Sequence, residues 1–260
     1  NKMKKKELSI NLLQTSLFWK NKDKNLQNFT QLIQKDSQTD IVLLPEMFNT
    51  SFCPEDISLA ESMEGETIMW MKKIAANKKI AIAGTLMIKE ENKTYNRLVW
   101  VHKNGNISTY DKYHLFSLIN EQKFIQKGEK KIILKEAGWK ICPMICYDLR
   151  FPAFSRNQED YDMLIYLANW PIKRIEAWNT LLKARSIENQ CYTIGVNRIG
   201  EDGNGITFNG NSCAFDAFGN KIEMVLKSKE VLKITLSYDK LELNRRKMNF
   251  LQDRDKFTIL

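Results

Sequence analysis

Apolar β-type runs alternate with amphipathic helical stretches along this chain, and with its hairpin signals that alternation indicates a mixed sheet covered by helices. Strands are expected at 8–13, 41–44, 80–88, 96–102, 132–135, 140–145 and 163–167, then at 192–196, 212–215, 221–225 and 231–236. Helices are expected at 21–38, 66–78, 173–190 and 237–250. The first sets Leu26, Phe29, Leu32 and Ile33 on one face. The third carries Ile175, Trp178, Leu181, Leu182, Arg185 and Ile187 at helical spacings. Asn104-Gly105 between two strand-like runs is a hairpin signal, and Phe218-Gly-Asn220 reads as a turn. No Pro/Gly/Ser-rich linker, low-complexity tract or repeat divides the 260 residues, so one domain spanning 1–260 is expected.

Three strand exits carry chemistry. In Trp139-Lys-Ile-Cys-Pro-Met-Ile-Cys-Tyr-Asp-Leu-Arg-Phe-Pro152, an apolar run delivers Cys146 to its end, and Pro152 stands where the first turn of a helix accepts it. Unsatisfied N–H groups and the positive end of a helix dipole there favour thiolate over thiol. A free backbone N–H can also meet a developing oxyanion. The alternative is a cysteine simply packed on an apolar strand. Ile41-Val-Leu-Leu-Pro-Glu-Met-Phe48 puts Glu46 just past a strand and the proline that ends it. Tyr110-Asp-Lys-Tyr-His-Leu-Phe116 puts Lys112 among aromatics at a similar exit. Taken singly, Glu46 reads as a solvated loop acid and Lys112 as one surface lysine among many. Acid, amine and thiol at three strand ends would converge on one rim of a folded sheet, where loops carry sites.

Together these segments resemble the nitrilase superfamily of carbon–nitrogen hydrolases, over nearly the whole chain. Leu44-Pro-Glu46, Lys112-Tyr-His-Leu-Phe116 and Cys146-Tyr-Asp-Leu-Arg-Phe-Pro152 look like its three signature blocks, in order. Asn169-Trp-Pro171, Ala184-Arg-Ser-Ile-Glu-Asn-Gln190, Gly195-Val-Asn-Arg198 and Gly210-Asn-Ser212 extend the match. His-Leu-Phe after the lysine, and Asn-Trp-Pro before a basic helix, look most like the omega-amidase branch. The resemblance implies an α/β fold, a four-layer α-β-β-α sandwich of the nitrilase type. It also implies a homodimer paired through helices, with the C-terminal tail at 251–260 at the interface.

The implied catalytic set is Glu46, Lys112 and Cys146. Cys146 would attack an amide and form a thioester, and Glu46 would shuttle the proton. Lys112 would stabilise the oxyanion beside the backbone N–H of Tyr147. Glu121, nine residues after Lys112, resembles the family's second glutamate, which holds the lysine and shapes the pocket; as an isolated acid in a polar loop it is solvated. Histidine is the rival base, and only His102 and His114 exist. His102 reads as surface hairpin, whereas a Cys146–His114 dyad is the main competing mechanism. The implied substrates are small carboxylates with a terminal amide, 2-oxoglutaramate and 2-oxosuccinamate. An N-carbamoyl amino-acid hydrolase, a deaminated-glutathione amidase and a nitrilase are the enzyme alternatives; a silent scaffold or nucleic-acid-binding protein is the alternative from another class. The remote carboxylate needs a paired cation once buried. Arg150 and Arg174 are the candidates, Arg174 being favoured because Trp170 and Pro171 would fix its angle of approach. Their competing roles are ion pairs, Arg150 with Asp148 and Arg174 with Glu176 or an acid elsewhere in the chain.

Charge and cysteine usage narrow the partners. A net charge of +9 invites nucleic acid, yet the lysines are scattered beside 31 acids, so a solvated basic surface and no nucleic-acid partner are expected. No run approaches the ~20 apolar residues of a membrane span, so no membrane partner is expected. Asn1-Lys-Met-Lys-Lys-Lys6 is like the basic end of a signal peptide, but Asn11, Gln14, Thr15 and Ser16 interrupt what would have to be apolar. The cysteines Cys53, Cys142, Cys146, Cys191 and Cys213 are odd in number and lack metal spacing, which suits a reduced cytoplasmic setting. Cys142 and Cys191 read as packing. Gly200-Glu-Asp-Gly-Asn-Gly205 reads as a turn rather than a phosphate loop, and no cofactor or metal is implied.

Overall fold

A computed structural model describes residues 4–36 and 38–259. The first three residues of the basic start, Ser37 of the expected 21–38 helix and Leu260 of the tail lie outside the described residues. The strands are β1 (Glu7–Leu13), β2 (Ile41–Leu43), β3 (Ala81–Glu90), β4 (Lys93–Val101), β5 (Ile107–Asp111), β6 (Leu134–Glu136) and β7 (Trp139–Ile145). There follow β8 (Met163–Ala168), β9 (Tyr192–Asn197), β10 (Ile199–Glu201), β11 (Thr207–Asn209), β12 (Cys213–Phe215), β13 (Val225–Ser228) and β14 (Val231–Ser237). The helices are α1 (Lys22–Gln34), α2 (Glu66–Lys78), α3 (Pro152–Ser155), α4 (Ile175–Asn189) and α5 (Tyr238–Lys247).

One sheet runs β13-β14-β1-β2-β3-β4-β5 and a second runs β12-β9-β8-β7-β6. Each has a parallel centre, β1-β2-β3 in the first and β7-β8-β9 in the second. The sheets pack face to face: Leu8, Ile10, Leu12, Leu98 and Trp100 share one core with Ile141, Met144, Leu164 and Tyr166. On the outer side of the first sheet, Leu26, Phe29, Leu32 and Ile33 of α1 and Ile68 and Met71 of α2 pack on Val42, Ile82 and Val99. Outside the second sheet, α4 lies on β9. The result is the four-layer α-β-β-α sandwich. Asn21 starts α1 by accepting the Lys24 N–H at 3.0 Å, which satisfies one orphan donor of the first turn.

Several boundaries differ from expectation, each for a backbone reason. The β3–β4 hairpin continues to the Glu90–Lys93 pair through exposed residues, because ladder hydrogen bonds do not require apolar side chains. The same explains β5, which has only Tyr110 buried and so lacked an alternating signal. The strand expected at 221–225 is replaced by an isolated bridge at Lys221 and by β13, four residues later at an exposed sheet edge. The expected 200–205 turn is partly strand: Gly200 and Glu201 belong to β10, and only the turn at 202–205 links it to β11, in a hairpin too short for a periodic pattern. The last helix ends at Lys247, and a 3₁₀ turn follows at Phe250–Asp253. Among the described residues no helix is long and apolar enough to cross a membrane.

The α4–β9 contact depends on a missing side chain. A Cβ on Gly195 would stand 2.4 Å from Leu182 Cδ1 and 2.5 Å from Trp178 Cζ2. Trp178 is fully buried, so neither wall can retreat cheaply. We expect Gly195→Ala to lower unfolding free energy by about 1–3 kcal/mol, the usual cost of overpacking. Urea melts should show an earlier midpoint at unchanged slope; an unshifted midpoint would mean that α4 rides on β9 loosely.

Candidate active site

The carboxyl ends of the parallel strands carry the site, at the edge where open α/β sheets bind ligands. Past β2, Pro45 stops the strand and Glu46 turns inward, fully buried. The turn is tight enough to hold Met47 at φ 43°, a left-handed conformation that a side chain resists. Lys112 leaves β5 with its N–H on the Asn96 carbonyl at 3.0 Å, and only 1% of it is exposed. Cys146 leaves β7 at φ 38° and opens a 3₁₀ turn, Cys146–Arg150. Glu121, expected to be solvated if it were only a loop acid, is fully buried at the start of another such turn.

These groups meet. Lys112 Nζ donates to Glu46 Oε1 at 2.8 Å and to Glu121 Oε2 at 3.0 Å. Glu121 Oε2 also accepts the Phe116 N–H at 2.6 Å, which anchors the lysine's own loop. Glu46 Oε2 accepts the Asn169 N–H at 3.0 Å, and the Cys146 thiol points to the Asn169 carbonyl at 3.9 Å. Glu46, Lys112, Cys146, Tyr147, Arg150, Trp170 and Arg174 all line one cavity of about 260 Å³. The Tyr147 N–H belongs to the first 3₁₀ turn, where N–H groups lack an intrahelical carbonyl.

Electrostatics correct one expectation. Burial first, then the Glu46 charge, push the Cys146 thiol well above its ordinary value, more than Lys112 pulls it down. The structure therefore favours thiol, not thiolate. The helix meant to lower it is a single 3₁₀ turn followed by the four residues of α3, too short to sum a useful dipole. For Lys112, desolvation alone would lower the pKa, but the Glu121 and Glu46 charges outweigh it and hold the ammonium. Glu121 is raised by burial, with Lys112 opposing.

Neither arginine makes the ion pair offered as its alternative. Asp148 instead accepts from Tyr110 Oη, His114 and the Ile145 N–H, at 2.7 to 3.0 Å. Arg150 lies over the Trp170 ring at 5.0 Å and Arg174 over Phe116 at 5.2 Å, and among the described residues neither pairs with a carboxylate. The Trp170 indole donates to the Arg174 carbonyl at 2.7 Å. His114 is held by Asp148 at 2.8 Å, stacked 3.7 Å from Phe151, and is not among the cavity-lining residues. His102 is no free hairpin residue: its ring bonds Glu136 at 2.7 Å and Ser108 at 2.8 Å, joining β4, β5 and β6.

Sequence reasoning missed Asn96 and gave Asn169 no role. Asn96 Nδ2 donates to Glu46 Oε1 at 2.9 Å, and Asn169 holds both the main chain and the carboxylate of Glu46. Little in the sequence marked Asn96: it opens the expected strand at 96–102 between Tyr95 and Arg97, where a polar residue needs no buried partner. Arg198, part of a matching segment, was likewise given no role. That guanidinium is buried, pushed down to about 10 by desolvation, and bonds Ser51 and the Glu201 carbonyl, tying the β10–β11 wall of the cavity to the turn behind Glu46.

Comparison with known proteins agrees with this architecture. The carbon–nitrogen hydrolase family model matches residues 9–245. Omega-amidase YafV of Yersinia enterocolitica is 38% identical over 257 residues, 97% of this chain and 99% of that protein. The 2-oxoglutaramate amidase of Bacillus subtilis (strain 168) is 30% identical over 217 residues, 81% of this chain and 83% of that one. A solved CN-hydrolase superfamily protein from Xanthomonas campestris, with an arsenic adduct in its active site, superposes at a TM-score of 0.94 and 36% identity, over 98% of this chain and 99% of that one. The chain belongs to the carbon–nitrogen hydrolases of the nitrilase superfamily and resembles their omega-amidase branch.

Proposed function

We propose that this protein is an omega-amidase, hydrolysing the terminal amide of a small 2-oxo dicarboxylate monoamide such as 2-oxoglutaramate or 2-oxosuccinamate to the 2-oxo acid and ammonia. One observation carries the reading: the cavity that exposes Cys146 beside Glu46 and Lys112 also holds two arginines without an ion pair among the described residues. The acids nearby are engaged, Glu55 3.8 Å from Lys20 and Asp202 capping the β10–β11 turn through the Asn204 and Ile206 N–H groups. An anionic substrate end is therefore favoured. The cavity, at about 260 Å³, is smaller than pockets for drug-sized ligands, roughly 300–1,000 Å³, which supports a short substrate. The names of its relatives, omega-amidase and 2-oxoglutaramate amidase, support the same class.

In this mechanism Cys146 Sγ attacks the amide carbon while its proton passes to Glu46. The carbonyl oxygen becomes an oxyanion facing Lys112 and the Tyr147 N–H; one such donor is worth ~3–4 kcal/mol of transition-state stabilisation. The tetrahedral adduct collapses, the C–N bond breaks and Glu46 returns the proton to the leaving nitrogen, releasing ammonia. Water then attacks the thioester, giving its proton to Glu46, and the proton returns to sulfur as the C–S bond breaks. Glu121 keeps Lys112 fixed through both half-reactions. A neutral resting thiol suits this scheme, because the base removes the proton only when an electrophile is in place.

Cys146→Ala should abolish ammonia release while circular dichroism stays normal, and Cys191→Ala, which alters only a buried packing residue, should keep most activity. Equal loss in both would remove Cys146 from its role. In the free protein, alkylation of Cys146 by iodoacetamide, followed by mass spectrometry, should be slow at neutral pH and keep rising without a plateau below pH 9. An early plateau would reveal a preformed thiolate. Arg174→Met should raise KM for 2-oxoglutaramate at least 10-fold more than for a neutral amide of similar length, the loss expected for a charge-assisted pair worth about 1.5–3 kcal/mol. Equal effects on both substrates would make Arg174 structural and turn attention to Arg150.

A further inference from the structure

Three donors divide the two oxygens of Glu46 unequally. Oε1 accepts from Lys112 at 2.8 Å and from Asn96 Nδ2 at 2.9 Å. Oε2 accepts from the Asn169 N–H at 3.0 Å. The carbonyl of that same Asn169 meets the Cys146 thiol, so Oε2 and the thiol share one partner residue. Oε1 is turned towards Lys112, Asn96 and Glu121.

Asn96 is itself held in one orientation. It lies inside β4, fully buried, and Thr85 of the facing β3 donates its hydroxyl to Asn96 Oδ1 at 2.8 Å. A hydroxyl donating to Oδ1 leaves only the NH₂ side of the amide for the carboxylates. The Thr85 oxygen in turn accepts the Met47 N–H at 2.9 Å, at the left-handed turn directly after Glu46. The Asn96 main-chain carbonyl takes the Lys112 N–H. A closed path therefore runs from the Glu46 turn through Thr85 and Asn96 back to the Glu46 carboxylate, and it touches the strand exit of Lys112 on the way.

We propose that Asn96, oriented by Thr85, is a positioning residue for the hydrolysis: it engages Glu46 Oε1 and so leaves Oε2 as the oxygen that takes and returns the proton. This rests on Glu46 being the proton shuttle. An oxygen shared by an ammonium and an amide N–H is a poorer acceptor than one with a single backbone donor. Without Asn96, the carboxylate keeps Lys112 and the Asn169 N–H but loses the second donor on Oε1, so the two oxygens become closer in basicity and the proton is no longer directed to one of them. Neither Asn96 nor Thr85 lines the cavity, so ground-state binding of substrate is untouched.

The test uses the full chain, 2-oxoglutaramate and five variants. Asn96→Ala should lower kcat by roughly 10- to 100-fold with KM within about twofold, the pattern of an interaction that matters in the transition state alone. Thr85→Val keeps the shape and loses the hydroxyl, and should lower kcat about 10-fold; Thr85→Ser restores the hydroxyl and should restore the rate. The double variant Thr85→Val/Asn96→Ala should be no slower than Asn96→Ala, because both act through one contact. If Asn96→Ala fails to fold, the Thr85 pair decides. A folded Thr85→Val with normal kcat, or fully additive losses, overturns the proposal. Glu46→Gln, assayed alongside, separates the two readings. If it is inactive while Thr85→Val is normal, the shuttle stands and the positioning role fails; if it is active, both fail.

Discussion

Everything at this site is arranged around one buried ammonium shared by two buried carboxylates. Lys112, Glu46 and Glu121 are each at most 1% exposed. Moving any one of them out of water alone is prohibitive, with a penalty of several kcal/mol even after relaxation. Together they are tolerable because each charge has a partner at hydrogen-bond distance. The triad therefore ties three separate strand exits and loops to one another, and the fold cannot open one of them without stranding a charge.

The surrounding backbone accepts strain to deliver those groups. Met47, Ser51 and Cys146 all take left-handed φ values that β-carbon atoms disfavour, in the turns that follow Glu46 and β7 and bring Glu46, Phe52 and Cys146 to the cavity. Stacked sheets supply the rigidity that holds them there, and buried polar ties supply the rest. Asp148 links the Cys146 turn to Tyr110 and His114 of the lysine's segment, while Asn197 brackets Trp170 through both its amide ends.

Much of this was legible in the sequence. Most strands and the principal helices follow from apolar runs and amphipathic spacing; Glu46 and Cys146 stand at the ends of such runs, but Lys112 does not, and the three are read as a set through the family resemblance of their segments. What escaped shares a physical character. β5 and the β10–β11 hairpin are held by backbone hydrogen bonds with little apolar burial, so hydrophobic patterning cannot see them. Asn96 and Thr85 matter through partners on other strands, and sequence spacing carries no record of such pairing. The protonation of Cys146 depends on a Glu46 charge one hundred residues earlier in the chain, and on burial that only the folded sheets create.

The double clamp on Lys112 has a chemical consequence for the substrates proposed. A 2-oxo acid carries a ketone, and a neutral lysine amine beside a ketone condenses with it to an imine, losing water. Such an adduct would trap both the substrate and the residue proposed to stabilise its oxyanion. With two carboxylates raising its affinity for the proton, Lys112 has no lone pair to offer. The same charges that make burial possible thus keep the lysine an electrostatic partner and deny it covalent chemistry, which in the proposed mechanism leaves carbonyl attack to sulfur.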